Sequence, residues 1–388
     1  MQIAFDARVI QDHFPGIGRY ARNLLAELPS ALDARESLII LYDPTVTNTR
    51  LPLDSLRARI TGESQWQWLA WPIPIFGAAG LTTPLPVKAS VAHFPYYLRP
   101  VWARCPSITN IHDALFLVHP QLAPSARSRL LNRLLNGLAM VSSQRIIALS
   151  RSAAQDVIRF FPGARRKLQV IAAAADPLFT PRDQAAQTIA REKFMLPGHF
   201  SFYLASNKPH KNLVRLVEAW GIVIQNWSGA QASKEAVKRP FSVLVIAGHQ
   251  DPRYPDAQLR AQTLGIDQYV KFIGAISDDD AAALYSACDL FVFPSLSEGF
   301  GLTPLEAMAC GAPVACSNIS AMPEVAGDAA TLFDPTYPAA IAATCLSVLQ
   351  DDARRSHMRA RSLAQAERFS WREAARLTVA LYRDTARV

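Results

Sequence analysis

The stretch FPSLSEGFGLTPLEAMACGAPV (293–314) constrains this 388-residue chain more than any other. The apolar run from Leu290 to Phe293 reads as a buried strand, and it enters a loop holding Gly299 and Gly301. From about Thr303 the pattern becomes helical. A strand that feeds a glycine loop and then a helix leaves the first-turn N–H groups unpaired at one point. The helix dipole adds to their pull on an anion, so a phosphate site is expected here. Two carboxylates frame the turn, Glu298 in the loop and Glu306 in the expected first helical turn. Thr303-Pro304-Leu305-Glu306 also reads as a capping box with proline at the first helical position, which would give Glu306 a purely structural task. Glu298 has no local structural task.

The same strand, glycine turn and helix open the chain. IAFDARVI (3–10) reads as a buried strand, Pro15-Gly16-Ile17-Gly18-Arg19-Tyr20 as the turn, and Leu24, Leu25 and Leu28 as the apolar stripe of a helix. Strands at 37–43, VAHF (91–94), SITNIHD (107–113) and RIIALS follow, with His112 and Asp113 at the end of the third. Residues 66–87 carry three tryptophans among prolines; they read as a core-covering connection or as an acceptor-side or membrane-interface surface. Residues 124–140 read as an amphipathic helix with Arg127, Arg129 and Arg133 against a leucine face. The bland expectation is a solvated arginine face over a core, and the alternative is peripheral membrane contact. Ser152 to Gln155 reads as a capping box, Arg165-Arg166-Lys167 as cations at the end of that helix, and the polar stretch from Asp176 to Gly198 as an interdomain linker.

The alternation then restarts with FYLAS (202–206), Lys208-Pro209-His210-Lys211-Asn212 and a helix, followed by a loop insertion at 228–240 and further strands. Ser370 to Glu373 caps a last helix. Two successive βαβ series predict an α/β protein of two parallel-sheet domains, each Rossmann-like; if the two face each other across a cleft, the groups past their strand ends converge there. The expected domains are 1–180 and 181–369, with the helix at about 370–388 packing back on the first.

Residues 1–180 hold 19 Lys and Arg against 11 Asp and Glu, and residues 181–388 hold 21 against 21. The whole excess of +8 therefore belongs to the first half, which fits an anionic membrane surface or a phosphate-bearing acceptor. No aromatic-interleaved basic stripe points to nucleic acid. The five cysteines are odd in number and lack C-x-x-C spacing, so buried reduced thiols are expected, and no metal-ligand cluster stands out. The apolar runs are too short to span a bilayer and no signal segment opens the chain, so the expected location is the cytoplasm.

Open parallel sheets bind ligands beyond the C-terminal ends of their strands. Gly16 and Gly18, His112, Lys208 and Lys211, and the Glu298 loop all stand just past predicted strand ends. Ser297 to Glu306 resembles the Glu-x7-Glu signature of retaining glycosyltransferases of the GT-B fold, the group 1 family (family 4). Gly16 to Tyr20, Ile111-His112-Asp113, Lys208 to Asn212, Phe272-Ile273-Gly274 and Asn318 to Glu324 match as well. The matches run from residue 5 to residue 335 and are most like those of bacterial mannosyltransferases of surface polysaccharide assembly.

The resemblance implies a first domain that binds the acceptor and a second that binds the donor. Glu298 would hold donor sugar hydroxyls and Glu306 the ribose hydroxyls. Lys211 and the amides of Phe300, Gly301, Leu302 and Thr303 would neutralise the diphosphate, which Gly16 and Gly18 would approach from the other domain. His112 would contact the transferring sugar, and Ile276 would offer main-chain contacts to the base. Many members carry an arginine shortly before the lysine; here Ala205-Ser206-Asn207 stands instead, and Lys208 is the substitute cation. The implied reaction is metal-independent and cofactor-free transfer of a hexosyl unit with retention, with mannose from GDP-mannose as the first expectation. The acceptor would be a saccharide or lipid-linked saccharide, with peripheral contact to the inner face of the membrane and no nucleic acid partner. A nucleotide-sugar hydrolase or epimerase on the same fold, or a non-catalytic nucleotide-sugar-binding protein, are the competing readings.

Overall fold

Among the described residues thirteen strands form two sheets, and every pairing in both is parallel. The computed structural model describes every residue except 14, 48, 50, 61–64, 124, 233–240 and 388, with backbone alone at 55, 59, 60 and 228–232. The chain divides into two compact units, Met1–Ala174 with Ser370–Val388, and Ala175–Phe369. The division thus falls after Ala174 rather than after residue 180.

The first unit holds β1 (Gln2–Asp6), β2 (Ser37–Tyr42), β3 (Trp66–Ala70), β4 (Val91–Phe94), β5 (Ser107–Ile111), β6 (Arg145–Ala148) and β7 (Leu168–Val170), in the order β3-β2-β1-β4-β5-β6-β7. The second holds β8 (Phe200–Leu204), β9 (Val243–Ala247), β10 (Val270–Gly274), β11 (Leu290–Phe293), β12 (Val314–Ser317) and β13 (Thr331–Phe333), in the order β10-β9-β8-β11-β12-β13. Both are doubly wound, with the strand order reversing beside the first strand of each series, and this is the Rossmann-like pair of the GT-B class. The central strands are buried on both faces, which explains why their sequences run apolar without alternation. Successive side chains of β11 nevertheless serve opposite cores. Phe291 and Phe293 pack with Phe202, Met308 and Met322, while Leu290 and Val292 pack with Tyr203, Trp220 and Ile246.

Several expectations are corrected. The opening strand ends at Asp6, and a 3-10 turn (Ala7–Val9) follows it. Trp66 to Ala70 is an edge strand rather than part of a connection, and Trp71 after it is buried under the Arg8 guanidinium. The prolines that suggested irregular structure begin only at Pro72. The polar stretch at 176–198 contains a helix, Gln184–Lys193, whose Ala190 joins the second unit's core, so it is part of that unit rather than a linker. Residues 228–232 finish the helix Leu213–Ala232, and the rest of the expected insertion lies outside the described residues. Ser150, not Ser152, caps the helix Arg151–Phe160. Lys167 donates to the Met140 and Ser143 carbonyls, at the end of a different helix from the one expected. In the helix Ala126–Ser142 the arginines are exposed as expected, but Leu130, Leu131, Leu134 and Leu138 are exposed too, and the buried side is formed by Asn136, Ala139 and Met140 with Leu135 half-buried.

The last helix, Trp371–Ala386, is capped by Ser370 and belongs to the first unit. Its Tyr382 hydroxyl donates to His93 Nδ1 at 2.6 Å, while His93 Nε2 meets the Asn110 carbonyl oxygen at 2.6 Å. Its Arg383 grips Glu36 side-on, Nε donating to Oε1 at 2.8 Å and Nη2 to Oε2 at 2.7 Å, and holds that carboxyl below its usual range. Among the described residues no helix is long and apolar enough to cross a membrane.

Candidate active site

In the second unit the switch point lies between β8 and β11, where the strand order reverses. Two loops leave the C-terminal ends of these neighbours, so their residues meet by topology. From β8 the chain reaches a 3-10 turn, Pro209–Lys211, which Asn212 ends in the left-handed region at φ 60°. Asn212 is buried, and its amide donates to the Pro294 and Pro335 carbonyls at 3.0 and 2.7 Å. The β11 loop is tied to the same turn, since the Leu296 N–H donates to the His210 carbonyl at 2.8 Å. These bonds fix Lys211, whose Nζ donates to Glu298 Oε1 at 2.5 Å. Both side chains are mostly buried, at 17% and 16% exposure, and the ammonium also sits 5.4 Å from the Phe293 ring centre.

Glu298 is clamped on its backbone as well. Its N–H donates to Ser320 Oγ at 2.9 Å, and that hydroxyl donates to the Glu298 carbonyl at 2.7 Å. Ser320, at φ 58°, received no role from sequence because a lone serine within NISAMPE carries no spacing signal.

The helix after the loop is Leu302–Ala309, and Gly301 is its cap at φ 106°. The capping box expected from Thr303 is not formed. The helix begins at Leu302, two residues before the proline that the box would put first, so Pro304 is its third residue, and no side chain caps the first turn. A glycine cap leaves those amides open toward the loop. A Cβ at Gly301 would overlap the Met322 methyl, and its φ is one that other residues adopt only under strain. Glu306 lies in the second turn and is buried; Phe300 is buried with its ring edge on Phe369. Leu302 and Thr303 are half-buried in the first turn, and Ile276 packs beyond β10 against the apolar core. Lys208 caps the 3-10 turn and is exposed. The family arginine's place is occupied differently. Asn207 is buried, and its side chain knits the Asp251–Tyr254 loop through bonds to the Asp251 and Tyr254 carbonyls and from the Asp251 N–H.

In the first unit His112 follows β5, next to the strand pair β4–β5. Its Nε2 lies 2.7 Å from the Pro95 carbonyl, which can only accept, so the proton is on Nε2 and Nδ1 offers a lone pair. The Tyr20 ring meets it edge-on, and burial lowers its pKa to about 4. Gly16 and Gly18 are not in a turn but in the first residues of the helix Pro15–Ala31. At Gly18 a Cβ would stand 3.0 Å from the Val9 carbonyl and 2.9 Å from Leu51, so helix packing accounts for that glycine. Open space surrounds Gly16. A cavity of about 310 Å³ lies over the ends of β1 and β2, lined by Arg8, Tyr42, Asp43, Thr47, Asp54 and Arg57 among others. The cysteines are free. Burial pushes Cys288, Cys310, Cys316 and Cys345 up to about 12, so none is a nucleophile at neutral pH.

The family model for Glycosyl transferases group 1 matches residues 188–365, the span that holds Lys211, Glu298 and Glu306. O-antigen chain mannosyltransferase B of Escherichia coli is 30% identical to this chain over 400 residues, covering 99% of this chain and all of that protein. The chain belongs to the group 1 glycosyltransferases. Serotype-specific mannosyltransferase WbdA of Escherichia coli is 36% identical over 238 residues, which is 60% of this glycosyltransferase and 28% of that protein. Among solved structures, Anabaena HepE in complex with UDP-glucose superposes with a TM-score of 0.71 at 17% identity, covering 99% of this glycosyltransferase and 100% of that chain.

Proposed function

We propose that this glycosyltransferase moves a mannosyl unit from GDP-mannose to a saccharide or lipid-linked saccharide in surface polysaccharide assembly, with retention and without a metal. The observation that carries the reading is the Lys211–Glu298 pair held at the switch point beside an uncapped helix N-terminus. The relatives named mannosyltransferases support the choice of sugar.

The chemistry follows from charge. Breaking the bond between the anomeric carbon and the phosphate oxygen sends its electron pair to the β-phosphate. The amides of Phe300 to Thr303, and Lys211 once the donor is bound, are assigned to the point where that negative charge grows, so the chemical step itself needs no further reorganisation. Donor binding exchanges partners: the ammonium turns to phosphate, and Glu298 is freed to accept from sugar hydroxyls. Glu306 is assigned the ribose, Lys208 a second phosphate contact, and Ile276 the base. The acceptor oxygen bonds to the anomeric carbon on the face the phosphate leaves, and its proton goes to the departing phosphate oxygen. In the first unit His112, neutral at pH 7, accepts from a sugar hydroxyl through Nδ1. The acceptor saccharide is assigned to the cavity lined by Tyr42, Asp43, Thr47 and Asp54.

The test is a thermal-shift series with GDP, UDP and ADP, followed by product analysis of GDP-mannose with and without acceptor saccharide. A stabilising nucleotide at about 100 times its Kd adds roughly 2.7 kcal/mol. Stabilisation by GDP and an α-linked product from the α-linked donor are expected. Donor consumption without an acceptor would mark a hydrolase or epimerase instead, and binding without turnover a carrier.

A further inference from the structure

A cavity of about 350 Å³ lies at the free edge of the second unit's sheet, and its lining is cationic. Residues 328–332, which lead into the last strand, β13, line it together with the helix Asp352–Ala366. Arg354, His357 and Arg361 reach it from one face of that helix, at i, i+3 and i+7, with buried Met358 on the same face. Arg354 Nη2 donates to Thr331 Oγ1 at 3.0 Å, and neither Arg354 nor His357 has a carboxylate partner among the described residues. Arg361 pairs with Asp328, whose side chain is 87% exposed. An ion pair so open to water contributes little and gives way readily to a better partner. The strand adds a donor. The Phe333 carbonyl accepts from the Asn318 N–H at 2.8 Å, so Phe333 bonds toward β12, and its neighbour Leu332 directs N–H and C=O to the free edge.

Size and position select the ligand. Arg354 and Arg361 stand two turns apart, about 10 Å along the helix, so two anionic groups in one small molecule suit them better than a single group. Only Leu332 of the three β13 residues turns its backbone outward, which is too little edge for an extended peptide to pair with. The switch point lies beyond the C-terminal ends of the parallel strands, whereas this cavity sits at the entry end of β13, so it is separate from the proposed donor site. We propose that the cavity binds a small anion carrying two phosphate groups, an inorganic diphosphate or a bisphosphate ester. Arg354 and Arg361 take one group each, His357 and the Leu332 N–H donate to the oxygens between, and the exposed Asp328 is released to water. The proposal does not rest on the donor-site reading, because none of these residues belongs to that site.

The test is calorimetric titration of the full chain carrying Lys211→Ala, which removes the cation of the proposed donor site. The probes are inorganic pyrophosphate, fructose 1,6-bisphosphate and inorganic phosphate. Saturable binding of pyrophosphate or of the bisphosphate is expected, the tighter of the two telling an inorganic ligand from an ester, with phosphate about tenfold weaker or more. Adding Arg354→Gln/Arg361→Gln should weaken binding roughly 100-fold, since each arginine gives up a charged hydrogen bond. Circular dichroism verifies the fold of that variant. Adding Asp328→Asn instead removes the competing carboxylate and should tighten binding about two- to fivefold, a gain that misfolding cannot produce. Four outcomes would overturn the proposal: no saturable binding of either two-phosphate ligand, phosphate binding as tightly as they do, unchanged affinity in the arginine variant, or no gain in Asp328→Asn. Tighter binding of an acidic hexapeptide that pyrophosphate displaces would also overturn it, assigning the edge to a protein partner.

Discussion

Lys211 is the residue on which the proposed chemistry turns. Lys211→Ala removes a fixed cation from the growing charge of the leaving phosphate, and kcat should fall by about 10²–10³. Steady-state kinetics with saturating donor measures it. Glu298→Gln keeps the shape and much of the hydrogen bonding, so it should lose less than Glu298→Ala; equal losses would argue against a contact to sugar hydroxyls. Gly301→Ala forces a side chain onto Met322 at a strained φ, and a melting curve should show a cost of about 1–3 kcal/mol. Glu298 stands out as a candidate in the sequence because no local structure explains it, whereas its clamp Ser320 does not stand out. A single hydroxyl that bonds a backbone twenty-two residues away leaves no trace in spacing.

At the scale of elements, the end helix Trp371–Ala386 is tied to its sheet by polar bonds as well as by apolar packing. Tyr382→Phe leaves buried His93 Nδ1 without its donor, and chemical denaturation should show a loss of about 1–3 kcal/mol. Burial lowers both His93 and His112 to about 4 from the ordinary 6.5. Above pH 6.5 both are neutral whether the chain is folded or not, so they impose no pH dependence there. As pH falls toward about 4 the unfolded chain takes up protons that the native chain refuses, and each histidine reduces stability by up to about 1.4 kcal/mol per pH unit. Glu36 acts in the same direction at lower pH. Its depressed carboxyl contributes stability above the ordinary carboxylate range, and that contribution is lost as pH falls through its folded value. Denaturant midpoints from pH 7 to 4 should decline, and the His93→Gln variant should flatten the upper part of the decline. The helices Pro15–Ala31, Leu213–Ala232 and Trp371–Ala386 are legible from apolar periodicity and caps, but the polar helix Gln184–Lys193 is not, nor is the side of a helix that faces inward. Leucine against arginine at 124–140 reads as core against solvent, whereas the buried side is that of Asn136, Ala139 and Met140, and four leucines are exposed along with the arginines.

For the whole molecule, two series of apolar strands separated by helices were enough to predict two parallel sheets, because strands covered on both faces cannot hide their apolar runs. The edge strand β3 escaped because its residues are only half-buried and mix tryptophan with glutamine. The unit boundary was blurred for a related reason: the polar helix Gln184–Lys193 buries only Ala190 and so resembles a linker in composition. The matching strand orders give each unit a switch point at its strand ends, and the proposed site for the diphosphate is that of the second. Calorimetric titration of GDP, with UDP and ADP beside it, into wild type and Lys211→Ala tests that placement most directly. Saturable binding of one nucleoside diphosphate to wild type and at least tenfold weaker binding to the variant are expected. Equal affinity in the two proteins would contradict that placement.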